Sequence, residues 1–68
     1  MKQAYQDYRD ALEHTAQIEE VLATQFAMLA DELEKQCQHR VADLLQAASR
    51  HHKDCSIKNR ALVASLVN

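Results

Sequence analysis

The chain has 68 residues, a formal net charge of −2, 47% hydrophobic residues, and neither glycine nor proline. Average proteins carry about 7% Gly and 5% Pro, and tight turns and hairpin loops draw on glycine for positive φ. Their absence, with an abundance of Ala, Leu, Gln, Glu, Lys and Arg, excludes a turn-rich β fold and predicts an all-α chain, residues 1–68 forming a single helical oligomerisation module. One Phe, two Tyr and no Trp make a compact core hard to build from one chain of this length. The apolar stripe is expected to be buried against another chain.

In chain order, residues 1–34 hold eight acids against Lys2 and Arg9, a net of −6. Residues 35–68 hold six bases against Asp43 and Asp54, a net of +4. This polarity suits the macrodipole of one long helix and also favours antiparallel pairing. Tyr5, Tyr8, Leu12, Leu22, Phe26, Leu29 and Leu33 recur at steps of three and four, with a gap after Leu12. A heptad grid puts Glu19 on the seam, whereas an 11-residue grid aligns Leu22, Leu33, Leu44, Cys55 and Leu66, with Phe26, Cys37 and Ala48 as a second row. Eleven residues in three turns predicts a nearly straight helix pair. The fold expected is therefore a long helical coiled-coil dimer that packs into a higher helical assembly. Its interface is assigned to Leu22, Phe26, Leu29, Leu33, Cys37, Leu44, Ala48, Leu62 and Leu66.

Two stretches are polar enough to interrupt the helix. "KQCQH" (35–39) keeps its phase through Cys37, and no Gly or Pro forces a break, so one continuous helix is expected; the alternative is a kink or break near 50–56, where "SRHHKDCS" (49–56) offers Asp54 or Ser56 as a cap for a fresh helix. The apolar tail "IKNRALVASLVN" is wider than a two-helix seam requires and is expected to dock on another helical element.

His51 and His52 lie four and three residues before Cys55, spacings that share a helix face. Two copies would bring together two His and two Cys, a tetrahedral zinc set. The candidate metal ligands are His51 and Cys55, with His52 as a substitute, and the candidate cofactor is a structural zinc shared between chains. The competing reading is a small buried Cys beside two solvated His. Cys37 and His39 face different ways and are set aside as a pair.

No nucleophile–base set, Gly-rich loop or placed carboxylate pair points to catalysis, so no enzyme is expected. The few bases lack aromatic interleaving, so no nucleic-acid partner is expected. No apolar run approaches 18 residues, so no membrane partner is expected, and a cytoplasmic place is.

The acidic helix "DYRDALEHTAQIEEVL", the stretch "RHHKDC" and the ending "IKNRALVASLVN" resemble the C-terminal module of the centrosomin family, centrosomin motif two. The resemblance spans nearly the whole chain. It implies a homodimeric helix that docks on a second coiled-coil, a leucine-zipper segment, to build a pericentriolar scaffold at the centrosome. Composition and spacing support a structural self-assembly and protein-binding module. The alternative is a small helical chaperone or adaptor, a hairpin that shields an apolar helix of a partner protein.

Overall fold

The computed structural model describes residues 2–67. They form two α-helices, α1 (Lys2–Lys35) and α2 (His39–Val67), folded against each other as an antiparallel hairpin with extents of 53 × 15 × 11 Å. The all-helical class expected from composition is what the chain adopts. The single continuous helix is not. The alternative, a break near 50–56, does not hold either: the chain turns at residues 36–38, and α2 runs unbroken through "SRHHKDCS".

Backbone hydrogen bonding explains that placement. Gln38 N–H donates to Leu33 C=O at 2.8 Å and Cys37 N–H to Glu34 C=O at 3.0 Å, with Cys37 at φ 62°. This is a Schellman end, which satisfies carbonyls that the last helical turn leaves free. Ala42 N–H then bonds Gln38 C=O at 3.0 Å, starting α2 with no residue wasted. His39 Nδ1 lies 2.5 Å from Glu34 Oε1, bridging the two helix ends. The turn needs one left-handed residue, and cysteine fills it at a cost of about 1–2 kcal/mol that glycine avoids. Cys37→Gly should therefore raise the unfolding free energy by about 1 kcal/mol, read as a higher urea midpoint at unchanged slope. A lower midpoint would mean that the cysteine side chain stabilises the turn by more than its backbone costs.

Small residues close the hairpin. Ala16, Ala23 and Ala30 repeat every seven residues along α1, and Ala42, Ser49 and Ser56 every seven along α2. Ala16, Ala23, Ala30, Ala42 and Ser56 are buried, and Ser49 is half-buried. The partners run in opposite order, with Ser49 Oγ donating to Ala23 C=O at 2.6 Å. A two-atom side chain reaches a main-chain carbonyl only where two helix axes approach closely, which small residues permit. At the open end Tyr5 OH donates to Leu66 C=O.

The flanks of this row differ. Taking the small row as heptad position a, the e side carries Glu20 and Arg60, joined across the helices at 2.8 Å. The d side carries Tyr5, Leu12, Glu19, Phe26 and Leu33 on α1 and Leu45, His52, Asn59 and Leu66 on α2. Apart from exposed Tyr5, these d residues are half-buried. The heptad grid thus describes the seam, and Glu19 sits on it because His52 meets it there. The 11-residue row does not follow the seam. It drifts from d (Leu33, Leu66) through g (Leu22, Cys55) to Leu44, which is 66% exposed. The charge complementarity expected between antiparallel copies is met inside one chain.

Candidate functional site: an open apolar face

Helical geometry places d beside g. Since the d rows of both helices meet across the seam, their g rows lie on the same side of the hairpin. That side collects Leu22, Phe26, Leu29 and Leu33 from α1 and Ala48, Cys55, Leu62 and Leu66 from α2, with Leu44 at its edge. Of the residues assigned to an interface from sequence, all but Cys37 lie on this face. Cys37 is exposed in the turn. Leu29 is 52% and Leu62 47% exposed, and exposed Tyr8, Ile18 and Val41 extend the same face. Two shallow hollows flank it on α1, one beside Met28 and Leu29 and one beside Ile18 and Leu22. Scattered exposed apolar residues are ordinary, whereas these gather on one side of both helices.

The middle of the face is polar. His52 Nδ1 meets Glu19 Oε2, and the His52 ring stacks on Phe26 at 5.4 Å between centroids and 16° between planes. This pair was the residue relation missed in the sequence. The signal was present in the heptad position of Glu19, but its partner lies 33 residues away and only the hairpin joins them.

On the opposite side, Glu20 accepts from Arg60 Nε at 2.8 Å and from Ser56 Oγ at 3.2 Å. The hydrogen bond from Arg60 holds the Glu20 carboxyl below the usual carboxylate range, against the opposing pull of desolvation, with Arg60 charge and Ser56 adding to the lowering. A depressed folded-state value means that this contribution is present above the ordinary value of 4.5 and lost as pH falls through the folded value. Glu20→Gln should then lower the melting temperature modestly at pH 7, the pair being exposed, and converge on the parent below about pH 4.5, flattening the acid limb. An acid limb identical to that of the parent would remove Glu20 from the account.

Of the candidate metal ligands, His51 Nε2 and Cys55 Sγ approach to 3.7 Å on one face of α2. His52 turns away to Glu19 and Phe26 and does not join them. Among the described residues no three His, Cys, Asp or Glu are grouped to hold a metal. A zinc would need His51 and Cys55 of a second copy brought against the first pair. The two cysteines are free thiols. No described helix is long and apolar enough to cross a membrane.

Comparison with protein-family models, with curated proteins and with solved structures returned no match.

Proposed function

We propose that this chain is a helix-docking interaction module, a hairpin that works by completing a larger helical bundle. The observation behind this reading is the division of labour between residue sizes. Alanine and serine close the hairpin, while the leucines and Phe26 remain on one accessible side. Burying an Ala methyl gains about 0.8 kcal/mol, whereas burying a Leu or Phe side chain gains about 1.5–3 kcal/mol. Leu29, Leu44 and Leu62, each about half exposed or more, therefore deliver their full share of hydrophobic stabilisation only when another helical surface covers the face.

A structural scaffold and a chaperone would both use that face, and neither asks for a catalytic group. The hairpin itself favours the docking of helices over an extended two-chain coiled coil. The pericentriolar setting and the leucine-zipper partner are carried by the centrosomin resemblance alone. A displayed library of amphipathic helices tests the docking reading. Helices should be enriched on the parent chain and lost on Leu29→Glu/Leu44→Glu. Equal enrichment on both, or none on the parent, would overturn it.

A further inference from the structure

Resting on that reading, we propose that the occupant of the open face is a second copy of this chain. The two hairpins lie turn to turn about a two-fold axis parallel to the bundle, so that α1 of each covers α2 of the other.

Area gives the first argument. A compact monomer of 7.8 kDa exposes about 4400 Å², and this chain exposes 5250 Å². The excess, roughly 850 Å², matches the ~800 Å² that one partner contributes to a standard interface. A four-helix bundle is the smallest closed arrangement in which both helices of a hairpin are covered on this side.

Charge selects the partner and the orientation. Within the helices, α1 carries a net charge of −5 and α2 of +3. Stacking two copies with their turns at opposite ends would lay α1 on α1 and α2 on α2, like charge on like. Turn-to-turn stacking lays acidic α1 on basic α2. The intrachain register pairs residues whose numbers sum to about 72, as Ala23 with Ser49. In the proposed dimer Glu32 therefore comes level with Arg40 of the second copy, and Arg40 makes no ion pair within the chain among the described residues.

The polar centre of the face fits the same arrangement. Glu19 and His52 occupy one level of the hairpin. In the turn-to-turn dimer Glu19 of each copy lies over His52 of the other, completing a four-residue polar layer. With turns opposed, Glu19 would face Glu19. A buried polar layer of this kind fixes register and helix count. The proposed dimer also sets the two His51–Cys55 pairs on diagonal helices, so it holds no shared zinc.

The test uses the full chain with Cys55→Ser and a spin label on the exposed Cys37. Sedimentation should give twice 7.8 kDa. Helix axes 8–10 Å apart put the labels about 20 Å from each other. A separation approaching the 53 Å length of the hairpin would overturn the orientation. A monomer at up to about 100 μM, a hundredfold above a micromolar dissociation constant, would overturn the second copy as occupant. The helix selection above would then still judge the docking reading separately. As a second readout, Glu32→Lys should raise the dimer dissociation constant about three- to tenfold through its two symmetric contacts, and adding Arg40→Glu should restore it. Failure of the double variant to recover would also count against the pairing.

Discussion

Ala23→Leu should largely unfold the hairpin. Ala23 is 7% exposed, and its carbonyl accepts the Ser49 hydroxyl at 2.6 Å, so there is no room for three further carbons between the helices. Overpacking a closed site costs about 1–3 kcal/mol and occasionally more. A domain of this size has only about 3–5 kcal/mol to lose. The loss of the Ser49 bond adds to the cost, because the displaced hydroxyl sits in a half-buried seam. Ala47→Leu, on the exposed flank of α2, provides the control and should leave the melt unchanged. Circular dichroism of both variants decides the matter. If Ala23→Leu melts like the parent, the small-residue row does not set the distance between the helices.

The second large effect belongs to the Glu19–His52 pair. His52→Ala removes the partner of Glu19 and the ring stacked on Phe26 in one step. Leaving a half-buried carboxylate without its hydrogen bond costs about 1–3 kcal/mol, and an aromatic stack contributes about 0.5–1.5 kcal/mol more. Replacing both partners with leucine should be neutral or stabilising, since apolar packing often matches or exceeds a buried ion pair. The leucine pair should nevertheless loosen the choice of partner and register, because the polar layer no longer penalises misaligned bundles. Chemical denaturation of the single and double variants reads the first effect, and the distribution of masses in sedimentation reads the second. Equal destabilisation by His52→Ala and by the double leucine variant would contradict this, showing that the pair contributes more than the apolar packing that replaces it.

The helical class was legible in the sequence because absent glycine and proline and abundant helix formers act locally. The hairpin was less so. Its turn rests on Cys37 at positive φ, a residue with no special tolerance for that region, inside a stretch whose apolar phase looked unbroken. The stretch around His51 and His52 looked like the break because it is polar. In the fold, Glu19 holds His52 and Glu20 holds Ser56 against α1, so that polarity is used without leaving the helix. The seam was hidden for another reason. Leucine spacing points to leucines at its centre, whereas the chain puts alanine and serine there every seven residues. The leucine assignments converge on one face even though the 11-residue row that suggested them does not describe the seam. A phase shift at the turn moves Leu44 from the expected centre of packing to an exposed edge.

Small residues close the hairpin, and association through the leucine face is a separate role. The double variant Leu29→Glu/Leu44→Glu tests that separation directly, by circular dichroism and sedimentation on the same samples. Both side chains are more than half exposed, so the new carboxylates stay in water in the isolated hairpin and would be buried only in an assembly, where each is strongly unfavourable. The predicted result is retained helicity with a mass of 7.8 kDa at concentrations where the parent associates. Loss of helicity together with association would contradict the account, because it would place these leucines in the core of the hairpin itself.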